Sequence, residues 1–172
     1  MWAVRYYVDD FGEPTKQVYI RNTNLIRGTF SNSATQDSKL DITFLITNSS
    51  NISIQLYEYA GNNLVKAYSA ESYSVQIQDN DGDRLSLSAI NYSERLSFDK
   101  IASRKIHKAL MKGRSIKFRI TEDDTPTIKY KFTIKKSWLV WECIYKIERI
   151  IIKYTSVNKK SPSVDEGDFH LN

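Results

Sequence analysis

The feature that most constrains this chain is an alternation of apolar and polar residues with a period of two, recurring along most of its 172 residues. Trp2, Val4, Tyr6 and Val8 alternate with Ala3, Arg5 and Tyr7. Leu40, Ile42, Phe44 and Ile46 alternate with Asp41, Thr43 and Thr47, and Ile52, Ile54 and Leu56 with Ser53, Gln55 and Tyr57. Tyr73, Val75 and Ile77 lead into Asp81-Gly82, and Leu85, Leu87 and Ala89 return the chain, which is a strong hairpin pattern. Ile116, Phe118 and Ile120, then Ile128, Tyr130, Phe132 and Ile134, form a further pair joined by Glu122-Asp123-Asp124-Thr125-Pro126. Val18 to Phe30 reads as one more extended stretch. Each strand has one apolar face, and the turns are too short for parallel crossovers, so antiparallel pairing follows.

The period changes twice. Phe98, Ile101, Ala102, Ile106, Ala109 and Leu110 fall at helical spacing, with Ser97 or Asp99 placed to cap the start and Gly113 just past the end. Val140, Ile144, Ile147, Ile151 and Tyr154 are spaced as the face of a second helix, although Ile150-Ile151-Ile152 leans toward strand. The expected fold is therefore α+β and mostly β: an antiparallel sheet or β-sandwich of about eight strands, with one inserted helix and one C-terminal helix. Residues 1–154 are expected to form a single domain. Trp138 and Trp141 would anchor the last helix, and residues 155–172 lose apolar periodicity and read as a disordered tail.

Composition narrows the function classes. The formal charge of +5 is a mild basic bias, too small by itself to mark a nucleic-acid binder. The single Cys143 excludes an internal disulfide and a cysteine-based zinc site. No apolar run is long enough for a membrane span. No basic and apolar leader precedes Trp2, so a periplasmic or cell-surface location is expected only if an upstream signal was removed, and a cytoplasmic one otherwise.

Two constellations stand out. Lys117, Arg119, Lys129, Lys131 and Lys135 project from the polar side of two strands expected to pair, and five cations on one face would attract an anionic partner. Ser31, Asn32, Ser33 and Thr35 form a loop rich in donors and acceptors, suited either to a polar ligand or to satisfying its own backbone. Asp79-Asn80-Asp81-Gly82-Asp83 has a calcium-loop composition, but its glycine comes too early and it reads as a tight hairpin. Asp9, Asp10 and Glu13 crowd one loop, where a carboxylate pair for glycoside hydrolysis competes with plain solvation. His107 and His170 fall in a helix and in the tail, and no nucleophile, phosphate-loop or zinc motif occurs. No enzyme activity, cofactor or metal is expected.

Trp2, Tyr7, Asp9, Asp10, Phe11-Gly12-Glu13-Pro14-Thr15 and Gly28-Thr29-Phe30-Ser31-Asn32-Ser33-Ala34-Thr35 resemble small bacterial proteins, often lipoproteins, with an N-terminal Trp and an F-G-E-P-T-like loop. The order of elements from Tyr73 to the final helix is similar to the VasI/TagO-type accessory proteins of type VI secretion. That resemblance implies a β-sheet with helices and a non-catalytic accessory or binding role outside the cytoplasm, with a protein or glycan partner. The alternative is a binder of nucleic acid or another anionic polymer through the basic hairpin face.

Overall fold

The structure, a computed structural model, describes residues 2–135, 140 and 142–145. Among the described residues eleven strands run in chain order: β1 (Trp2–Val8), β2 (Pro14–Asn22), β3 (Ile26–Ser31), β4 (Ser38–Asn48), β5 (Asn51–Tyr57), β6 (Asn63–Leu64), β7 (Ala67–Gln78), β8 (Arg84–Ser93), β9 (Arg95–Ser97), β10 (Ile116–Glu122) and β11 (Lys129–Ile134). A short turn α1 (Glu58–Gly61) follows β5, and a helix α2 (Lys100–Met111) follows β9. The strand Val18 to Phe30 expected from sequence is two strands, broken at residues 23–25.

The sheet is neither open nor split into a sandwich. β3, β4, β5, β9, β8, β7, β10 and β11 pair in that order, and β11 pairs back onto β3, giving an eight-stranded antiparallel barrel. This corrects the sheet-or-sandwich expectation. A one-sided apolar strand suits either arrangement, because the period-two pattern records which face is buried and not whether the edges meet. The β1–β2 hairpin branches from the barrel through Ile20↔Ile46 and Arg21↔Leu45, and β6 flanks β5.

The interior is filled. Phe44 meets Phe118 and Phe132 at ring distances of 5.6 and 5.9 Å, and Phe118 stacks on Phe132 at 4.7 Å. Ile42, Ile54, Val75 and Ile120 are fully buried around them. An eight-stranded barrel leaves an interior that side chains of this size can fill. Apolar inside and polar outside is the reverse of a barrel whose outer wall faces lipid. Among the described residues no helix is long and apolar enough to cross a membrane.

β4 carries a fork. Its first half pairs with β3 up to Ile42, and its second half pairs with β2 from Leu45. The buried Asn22 bridges the gap: its Nδ2 donates to the Ile42 carbonyl at 3.0 Å and its Oδ1 accepts from the Phe44 N–H at 2.7 Å. One side chain thus replaces the ladder bonds the diverging strands leave open.

α2 lies at the end of the barrel reached by the β7–β8 turn and packs Ala102, Ile106, Ala109 and Leu110 into the core. Asp99 caps it, accepting from the Ala102 N–H at 2.7 Å. Ile101, expected on the buried face, is 65% exposed. Lys112 is held by Asp79 and Asp83, and Arg114 Nη1 reaches Asp81 Oδ1 at 3.0 Å, so the helix end is tied to the hairpin. The expected C-terminal helix falls mostly outside the described residues. Residues 140 and 142–145 are helical, with Val140, Cys143 and Ile144 buried. Trp138, Trp141, His170 and the expected tail lie outside the described residues.

Candidate functional site

Strand alternation decides which side chains reach the outer wall. Phe118 and Phe132 point inward, so Lys117, Arg119, Lys131 and Thr133 point outward from neighbouring positions. The register places Arg119 opposite Lys131 and Lys117 opposite Thr133. Lys131 in turn opposes Thr29, and Arg119 opposes Gln76 on the other side. The result is an outer-wall concavity of about 600 Å³ across β3, β11, β10, β7 and β8. Five strands at the usual spacing cover roughly 19 Å measured around the curved wall.

Six cations line it: Arg27, Arg84, Lys117, Arg119, Lys131 and Lys135. Among the described residues no carboxylate does. Gln76, Gln78, Ser86, Thr29 and Thr133 supply neutral hydrogen-bonding groups between them. Among the described residues the one acid in ion-pair reach of these cations is Asp37, whose Oδ1 lies 3.8 Å from Lys131 Nζ with both side chains more than half exposed. A pair that open to solvent neutralises little.

Gly28 shapes the floor. It sits opposite Phe132, and a β-carbon there would come within 2.3 Å of the Lys131 carbonyl oxygen and 2.7 Å of the Phe132 β-carbon. Only glycine lets β3 approach β11 this closely, and that pairing closes the barrel and brings Arg27 onto the same wall.

Four of the five cations singled out from sequence therefore converge. Lys129 does not. It lies on the same outer side, opposite Thr121 and Ser31, beyond the concavity. Arg27 and Arg84 were missed, because they come from strands distant in sequence. Arg84 could have been read from its parity with Ser86 and Ser88.

The polar loop is turned on itself. Asn32 Oδ1 accepts from the Ala34 and Thr35 N–H groups at 2.9 and 3.0 Å, and Ser31 Oγ accepts from the Asp37 N–H at 3.1 Å. The Thr35 and Ser38 hydroxyls bond each other. Ser33 is exposed. These bonds tie several of the loop's side chains to its own backbone.

The acidic motifs are likewise committed. Asp9 Oδ1 accepts from the Phe11 and Glu13 N–H groups, both at 2.9 Å, and Asp9, Asp10 and Glu13 are all exposed at the β1–β2 turn. Asp79 Oδ1 accepts from the Asp81 and Asp83 N–H groups, and Gly82 takes φ 88° in the tight turn. Its hydrogen bond with Lys112 holds the Asp79 carboxyl below the usual range, and the same bond raises Lys112. Among the described residues no group of three or more histidines, cysteines or carboxylates is placed to hold a metal ion.

A polar cluster lies near the end of the barrel away from α2. Glu58 accepts from the Tyr130 hydroxyl and from Asn63 Nδ2, each at 3.2 Å. The Tyr73 hydroxyl bonds Glu71 Oε2 at 3.2 Å beside the buried Asn91 amide, neither polar atom of which has a partner of good geometry among the described residues. Burial, and then the charges of Glu71 and Asp124, raise Glu122 above the ordinary carboxyl value.

No family model, curated protein or solved structure matches this chain.

Proposed function

We propose that the protein is a non-catalytic binding module that takes an anionic polymer on the outer wall of its barrel. The observation that carries this reading is the Arg119–Lys131 cross-strand pair, set among four further cations in a concavity that no carboxylate lines among the described residues. Like charges placed directly opposite cost stability, so their company here is explained by an anionic ligand that offsets them. The packed aromatic interior leaves the outer wall as the place for a ligand.

The span favours a polymer over a single small anion. The six cations come from strands β3 to β8 around the wall, and one phosphate or sulfate group reaches one or two cations at a time.

Fluorescent dextran sulfate and uncharged dextran of the same length, titrated at low ionic strength, test this reading. Dextran sulfate is expected to bind and the neutral polymer not to bind. Arg119→Glu with Lys131→Glu is expected to weaken binding by at least tenfold. Equal binding of both polymers, or an unchanged affinity in the double variant, would overturn it.

A further inference from the structure

The β7–β8 register runs unbroken from Gln78↔Arg84 to Glu71↔Asn91. Arg84, Ser86, Ser88, Ile90 and Tyr92 therefore share the outer side of β8, while Leu85, Leu87, Ala89 and Asn91 turn inward. Arg84 and Ser86 line the basic concavity. Farther along the same side the character changes. Ile90 is 51% exposed, Tyr92 69% and Tyr68 99%; Tyr68 lies in the stretch between Ala67 and Glu71 where the register shifts, just after the Ala67↔Ser93 pair that adjoins Tyr92. Arg95 stands opposite Tyr92. Two carboxylates lie near this track: Glu94 is paired with Lys66 at 2.9 Å, and Asp123 accepts from the Ser74 hydroxyl at 2.6 Å across from Ser88.

The outer side of β8 thus runs from the cations of the concavity to the exposed Tyr92, with the exposed Tyr68 nearby in sequence on β7. From Ser86 to Tyr92 is roughly 20 Å of strand, a distance that a polymer rather than a single anion would span. A sulfated glycan or a duplex would use the cations, but neither presents unpaired bases to the tyrosines. A protein partner would be expected to bury a central apolar hot spot, whereas here the centre is charged and the aromatics stand at one end.

We infer that the polymer is single-stranded nucleic acid, its phosphates in the basic concavity and its bases stacked on Tyr92 and Tyr68. The inference rests on the anionic-polymer reading above and adds the source of the anion. Stacking on tyrosine is tolerant of base identity, so binding is sequence-independent, with Arg95 as the cation beside the stacked ring.

The test titrates the full chain with three labelled probes: an oligothymidylate of about 12 nucleotides, a duplex of the same length and heparin. The oligothymidylate is expected to bind most tightly. Tyr68→Ala with Tyr92→Ala is expected to weaken it by about tenfold or more and leave heparin unchanged. Both side chains are exposed, so the variant keeps the fold, which its circular dichroism checks. Heparin or duplex binding as tightly as the oligothymidylate, or indifference of the oligothymidylate to the tyrosine pair, would overturn the inference while leaving the anionic-polymer reading standing. Indifference of all three probes to Arg119→Glu with Lys131→Glu would remove both.

Discussion

Arg119 and Lys131 stand directly opposite each other on β10 and β11, a like-charge pair at the middle of the basic wall. Such a pair works against the sheet it sits in. Replacing Lys131 by Thr is expected to raise stability by roughly 0.5 kcal/mol while weakening polyanion binding. Urea denaturation and a binding titration on the same sample check the two halves together.

Asn22 holds the fork in β4 through the Ile42 carbonyl and the Phe44 N–H. Asn22→Ala would leave two buried backbone groups without partners. A loss of about 2–4 kcal/mol is expected, well beyond a surface substitution. Asn22→Asp keeps the acceptor for Phe44 and loses the donor to Ile42, so it too is expected to destabilise. Chemical denaturation of both variants measures this.

Gly28 tolerates no β-carbon, since the Lys131 carbonyl already occupies the space. Gly28→Ala is expected to cost about 3 kcal/mol by forcing β3 from β11. Hydrogen exchange is expected to speed up first in those two strands.

Burial foremost, then the charge of Glu58, pushes the Tyr130 hydroxyl well above the ordinary tyrosine range. Burial, then Glu122 and Glu71, does the same to Tyr73. The unfolded chain releases these protons near pH 10, whereas the folded chain retains them to higher pH. Their contribution is therefore complete below about pH 10 and is lost as pH rises further, by up to about 1.4 kcal/mol per pH unit for Tyr130. Tyr130→Phe is expected to flatten that alkaline slope. At neutral pH it would cost about 1–3 kcal/mol, because Glu58 loses a donor. Urea midpoints across the pH range measure both effects.

The strands were legible because alternation is local. Lys117, Arg119 and Lys131 could be put on one face from parity alone, and the Asp81-Gly82 turn and the Asp99 cap follow from short-range chemistry. Barrel closure was not legible, since it depends on β3 meeting β11 across about a hundred residues of chain, and its one trace in the sequence is the unadorned Gly28. The break at residues 23–25 left only a short polar signal, Asn22-Thr23-Asn24, with apolar Leu25 and Ile26 resuming at once. The exposed end of β8 did leave a signal. Ile90 and Tyr92 occupy the parity that Ser86 and Ser88 hold earlier in β8, an inversion of polarity within one strand.

The most direct measurement of the central claim is the salt dependence of oligothymidylate binding between about 50 and 200 mM. Engagement of all six concavity cations predicts a slope of log affinity against log salt of about −4, falling to about −3 when Arg27 and Arg84 are both replaced by Gln. An affinity that does not change with salt, or a slope untouched by removing both marginal arginines, would contradict a polyanion lying across this wall.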